Sequence, residues 1–266
     1  QYGTGLDGFA SKYPERFFDV GIAEEHAVTM AAGMAAGGMI PVFAVYSTFL
    51  QRAYDMLIHD AALSNEHIVF AVDRAGIVGE DGETHQGIFD AAFLAQIPNI
   101  KILCPSSYEE LRIMLNKAIQ MNSPVAVRYP RGGEGIYHGS STGLSEVLKV
   151  GKDITLVSYG ILINETIRAA ELLENDGVES EVVKLNTLSP LDLQGIILSV
   201  RKTGAIIVAE ECIAEGSAGQ RLFAGLAEKG ISAKARLLNI GNRFVPHGTV
   251  SQLWKLCGID AGSIYK

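Results

Sequence analysis

HIVFAVD (67–73) carries five apolar residues in a row, Ile68 to Val72, closed by an aspartate. A strand with one wet face alternates apolar and polar residues. An unbroken apolar run of this length suits a strand covered on both faces, as in a parallel sheet. Three neighbouring runs read the same way: IPVFAV (40–45), KILC (101–104) and PVAVRYP (124–130). Helical stretches separate them. In SSYEELRIMLNKAIQ (106–120), Ser106 or Ser107 is placed to cap, and Leu111, Met114, Leu115 and Ile119 share one face. Strand–helix alternation of this kind predicts an α/β unit with right-handed crossovers.

Beyond this unit, RGGEGIYHGSSTGLSE (131–146) holds five glycines and three serines and reads as a linker. The alternation then restarts with DITLVSYG (153–160), ESEVVKLN (179–186), AIIVAEE (205–211) and ARLLNIG (235–241). Helical segments lie between them, with Gly177, Gly204 and Gly230 placed as helix stops. The expectation is two consecutive open, largely parallel-sheet α/β domains: a first over 1–135, a linker over 136–149, and a second over 150–266.

The 266 residues are 48% hydrophobic and 20% charged, a globular composition. A net charge of −8 speaks against non-specific nucleic-acid binding, which needs a basic surface. No apolar run reaches the ~18 residues of a membrane span. Cys104, Cys212 and Cys257 are far apart and form no CxxC pair, so reduced, buried thiols and a cytoplasmic location are expected. The polar opening QYGTGLDGFASKYPER, which starts at Gln1 and lacks a signal-peptide pattern, reads as the start of a fragment or processed chain.

Three segments carry candidate chemistry. In DVGIAEEHAVTMAAGMAAGG (19–38), Ala27, Met30, Ala31, Met34 and Ala35 follow helical spacing, a small-residue face for close packing. Glu24 and Glu25 open that helix, where carboxylates ordinarily complement the dipole. In YSTFLQRAYD (46–55), Tyr46, Phe49 and Arg52 lie on one segment; a phenylalanine at a strand end is ordinarily core. DRAGIVGEDGETHQG (73–87) is polar and glycine-rich after a strand, the place where α/β ligand sites lie. Its Asp81 and His85 are spaced i, i+4, which fits a metal pair, but no third or fourth ligand stands near. Arg74 and Arg131, with their planar guanidinium forks, suit an anionic ligand.

These runs, with RYPRG (128–132), resemble in order and spacing the 1-deoxy-D-xylulose-5-phosphate synthases, a group of transketolase-like thiamine diphosphate enzymes. The resemblance is dense over 13–132. It continues more weakly through EEC (210–212), GSAGQ (216–220), LLNIG (237–241) and FVPHG (244–248). It implies a pyrimidine-binding domain followed by a transketolase C-terminal-type domain. It also implies thiamine diphosphate as cofactor, with Glu24, not Glu25, as the catalytic carboxyl group that hydrogen-bonds the pyrimidine ring nitrogen. Phe49 is then the residue packed on that ring, and Arg52 reaches the cofactor. Tyr46, Arg74, Asp81, His85 and Arg131 become substrate-binding residues. His85 and Asp81 bind acceptor or intermediate groups, with His85 also catalytic, and the two arginines face phosphate.

The GDG motif that holds the diphosphate through a metal is absent from this sequence. Mg2+ and its ligands are therefore expected in a diphosphate-binding domain outside the chain, which alone would be inactive. The implied reaction joins pyruvate to D-glyceraldehyde 3-phosphate with loss of carbon dioxide, giving a precursor of isoprenoids, thiamine and pyridoxal, in a homodimer. Two other readings stay open: a β-type half of a 2-oxo-acid dehydrogenase or of a split transketolase, and a non-catalytic dimerisation or regulatory module.

Overall fold

The structure, a computed structural model, describes residues 2–266. All four apolar runs of the first half form strands: β1 (Val42–Tyr46), β2 (Val69–Asp73), β3 (Lys101–Leu103) and β4 (Val125–Arg128). The second half supplies β5 (Ser145–Lys149), β6 (Ile154–Tyr159), β7 (Ser180–Leu185), β8 (Thr187–Ser189), β9 (Ala205–Ala209) and β10 (Lys234–Leu238). They build two five-stranded sheets, ordered β1-β2-β4-β3-β8 and β10-β9-β6-β7-β5. Each is parallel except at one edge, where β8 runs against β3 and β5 against β7. Every residue of β2 and β4 is buried, as unbroken apolar runs in central strands should be.

Two details depart from the expectation. Residues 136–149, read as a linker, are not all irregular. Ser145–Lys149 adds an edge strand to the second sheet, because its backbone finds partners in β7. The first sheet in turn borrows β8 from the second half. The two units also share apolar core: Leu94, Ile97 and Ile102 cluster with Leu185, Ile196 and Leu222.

The helix Glu24–Ala36 buries Ala27, Val28, Ala31 and Ala32, while Met30 and Met34 are only half-buried. The buried face is thus turned from the one the spacing suggested. The reason is steric. The small Ala27, Val28, Ala31 and Ala32 let the helix lie close against the similarly small Ala53, Ala61 and Ala62. In the helix Tyr108–Ile119, Ser107 is the cap, accepting from the Glu110 backbone N–H at 3.0 Å. Met114 is buried there, whereas Ile119 is exposed. Gly177, Gly204 and Gly230 all take positive φ just past helices, as read from sequence.

Between the units lies a buried polar cluster. Lys184 and Glu110 are wholly buried and 2.8 Å apart. Tyr137 donates its hydroxyl to Glu110 at 2.6 Å or to Glu146 at 2.8 Å. No helix among the described residues is long and apolar enough to cross a membrane. All three cysteines are buried and free.

Candidate active site

The strands β1, β2 and β4 end level, with Tyr46 opposite Asp73 and Val72 opposite Arg128. The candidate residues gather beyond these carboxyl ends. Glu24, in the first turn of its helix, is only 9% exposed, whereas Glu25 is exposed. Its Oε1 accepts from Arg52 Nη1 at 2.8 Å. The Arg52 guanidinium stands 5.0 Å from the Phe49 ring centre. Phe49 stacks on Tyr46 at 5.7 Å and meets the His85 ring edge-on at 5.3 Å. Tyr46 donates its hydroxyl to the Gly3 carbonyl at 2.8 Å, and its ring lies 3.8 Å from the Arg74 guanidinium. Arg74 approaches Asp81 at 3.6 Å, and Asp81 accepts from Arg131 Nη1 at 2.7 Å. All eight residues singled out in the sequence therefore form one chain of contacts.

Two cavities flank the Tyr46–Arg74 contact. One, of about 330 Å³, is lined by Ile22, Glu24, Ala27, Phe43, Tyr46 and Phe49. It is largely apolar, with Glu24, Thr4 and Tyr46 as its polar side chains, which suits a flat heteroaromatic ring with a polar edge. The other, of about 280 Å³, is lined by Arg74, Arg131, Ser106, Ser107, Tyr129 and Asp73. Its two guanidinium groups suit a phosphate.

Local structure explains the placement. Arg74 has φ of 58°, a left-handed conformation uncommon outside glycine, immediately after β2. Its guanidinium turns back to Asp73 Oδ2 at 2.5 Å. Burial raises the Asp73 carboxyl above its usual range, although Arg74 opposes that rise. The following loop is pinched by paired backbone bonds of 2.7 Å between Gly76 and Gly87. A Cβ on Gly87 would fall 2.0 Å from the Arg74 carbonyl, so the neck requires glycine. Within the loop, His85 Nδ1 pairs with Thr84 Oγ1 at 2.9 Å, and Thr48 donates to the Thr84 carbonyl at 3.0 Å.

Asp81 and His85 thus face different partners. Among the described residues no group of three or more His, Cys, Asp or Glu gathers to hold a metal ion. Sequence reading missed Asp73 as the partner of Arg74, although the two are adjacent. It took Ser106 and Ser107 only as caps, whereas they also wall the second cavity.

Comparison with known families matches residues 1–133 to the transketolase pyrimidine binding domain and 143–264 to the transketolase C-terminal domain. The chain belongs to the transketolase family. Among its relatives is 1-deoxy-D-xylulose-5-phosphate synthase 1 of Geobacter sulfurreducens, 45% identical over 98% of this chain and 42% of that protein. The synthase of Carboxydothermus hydrogenoformans is 46% identical over 99% and 43%. The chain therefore spans less than half the length of these relatives. Among solved structures, a split-gene transketolase described as an inactive β4 tetramer superposes with a TM-score of 0.87 at 28% identity. That match covers 100% of this chain and 86% of the other.

Proposed function

We propose that this chain is the pyrimidine-binding and C-terminal part of a thiamine-diphosphate-dependent synthase. The enzyme condenses pyruvate with D-glyceraldehyde 3-phosphate, releases carbon dioxide and forms 1-deoxy-D-xylulose 5-phosphate. The observation that carries the reading is the buried Glu24 carboxylate facing an apolar cavity beside Phe49, with two guanidinium groups one contact further on. Thiamine diphosphate, when bound, supplies a nucleophilic thiazolium carbon. Glu24 holds the proton at the pyrimidine ring nitrogen, in a cavity where an apolar wall strengthens that bond. Arg52 fixes the carboxylate from its other side, and Phe49 packs against the ring. Arg74 and Arg131 hold the phosphate of the acceptor, and Tyr46 lines the Glu24 cavity with its ring against Arg74. His85 and Asp81 orient the acceptor, with His85 placed to move a proton at its carbonyl oxygen.

The diphosphate and its Mg2+ are assigned to a further domain outside this chain. That domain and a second copy of the protein are proposed to cover the Glu24 cavity on the side of Ile22, which is 90% exposed. The enzyme is placed in the cytoplasm, supplying the isoprenoid, thiamine and pyridoxal pathways. A split-transketolase half is the second reading, favoured by the 0.87 superposition over the whole chain. Product analysis separates the two. Joined to a diphosphate-binding domain, the chain should convert pyruvate and glyceraldehyde 3-phosphate to 1-deoxy-D-xylulose 5-phosphate. Ketol transfer from a ketose phosphate, with no reaction of pyruvate, would contradict the synthase reading.

A further inference from the structure

The loop that carries Asp81 and His85 is held from outside its own unit. Glu211 Oε1, from the second half of the chain, accepts from the Ile77 backbone N–H at 3.2 Å and from Trp254 Nε1 at 2.7 Å. Gln86, 3% exposed, accepts from the Val78 N–H at 2.9 Å and donates to the Pro246 carbonyl at 3.2 Å. A Cβ on Gly76 would lie 2.7 Å from Glu211 Oε2, and one on Gly79 would lie 3.0 Å from the Gly248 carbonyl. Both glycines take positive φ, of 89° and 70°, and a side chain on either would press on the second unit. At the loop's exit, the Ile213 N–H donates to the Ile88 carbonyl at 3.0 Å, and Phe244 packs on Phe89 at 6.3 Å. The contacts come from or beside the EEC (210–212) and FVPHG (244–248) runs, which no step of the proposed reaction uses.

We infer that Glu211 is a positioning residue, a buried carboxylate of the second unit that fixes the loop bearing Asp81 and His85 and thereby sets the geometry of the site. This rests on the reading of those two residues as site residues. Glu211 is 6% exposed, and burial pushes its carboxyl above the usual range. A carboxyl group so far out of water is tolerated where donors replace the solvent. Here Oε1 has two, one on the loop and one on the helix Val250–Cys257, so a single oxygen couples the two elements. The C-terminal unit, which contributes none of the eight site residues, acts on the site through this bond.

Hydrogen–deuterium exchange on the chain tests this without any cofactor. In Glu211→Ala, amides of 76–88 should exchange about tenfold faster, the loss of roughly one buried hydrogen bond, with β2, β6 and β9 unchanged. Glu211→Gln keeps an acceptor oxygen and should restore slow exchange. Trp254→Phe, which removes only the second donor, should give a smaller rise confined to the same segment, and it serves if the alanine variant folds poorly. Unchanged loop exchange in Glu211→Ala and Trp254→Phe overturns the inference, as does a rise spread evenly over both sheets in Trp254→Phe. In the complete enzyme, Glu211→Ala should lower kcat about tenfold and leave thiamine diphosphate affinity unchanged, with Glu211→Gln recovering most of the rate. Equal loss of cofactor affinity would assign Glu211 a merely structural role. A wild-type enzyme inactive on pyruvate would sink the thiamine reading alone, since the exchange result stands apart from it.

Discussion

Arg131 and Arg74 reach Asp81 from two sides, so one carboxylate sits between two guanidinium groups. A phosphate entering the adjoining cavity competes with Asp81 for these donors, and two charge-assisted contacts favour the dianion. Arg131→Ala in the complete enzyme should therefore weaken use of glyceraldehyde 3-phosphate by ~1.5–3 kcal/mol, roughly ten- to a hundredfold in kcat/KM, and pyruvate use much less. Steady-state kinetics with each substrate varied in turn checks this; equal effects would place Arg131 elsewhere. At this scale seven of the eight candidates lie in short runs at or after the ends of β1, β2 and β4, the edge to which a parallel sheet delivers its loops, whereas Glu24 opens a helix with no strand directly before it. The partners that aim them were less legible. Gln86 and Glu211 act through contacts 160 and 134 residues away in sequence, which no local pattern encodes.

Helices and loops were legible where their signals are local. Ser107 caps the helix Tyr108–Ile119 as a serine before a run of helix formers should. Ser107→Ala should cost about 1 kcal/mol, read as a lower urea midpoint. The buried face of Glu24–Ala36 was only partly legible: exposed Glu25, His26 and Thr29 mark its wet side, but the alanines beside them carry little signal to fix where the buried face ends. The loop after β2 offers a pH test. Glu211 titrates above its unfolded value of 4.5, so the folded state holds the proton more tightly. Its contribution to stability is full below that value and is lost as pH rises through the folded pKa. Glu211→Gln does not titrate. The stability difference between variant and wild type should therefore shift in the variant's favour as pH rises from about 4 to about 8, followed by urea unfolding. A difference constant over that range would contradict the assignment.

For the whole molecule, two α/β sheets were legible from repeated buried-strand runs, but their joining was not. Strand β8 spans three residues, too short for a periodic signal, and it crosses to the first sheet. The polar junction was equally hidden, because Lys184 sits in a strand run with its partner Glu110 in a helix 74 residues earlier. Lys184→Ala leaves Glu110 buried without its cation and should cost ~3–5 kcal/mol in denaturant unfolding. Lys184→Met combined with Glu110→Gln should recover much of that. The central claim is that Glu24 activates thiamine diphosphate. It is tested most directly by deuterium exchange at the thiazolium carbon of cofactor bound to the complete enzyme. Glu24→Gln should slow exchange about a hundred- to a thousandfold, or ~3–4 kcal/mol. Glu25→Gln, turned about 100° away around the helix, should change it little. Exchange lost in Glu25→Gln but kept in Glu24→Gln, or kept in both, would contradict the account.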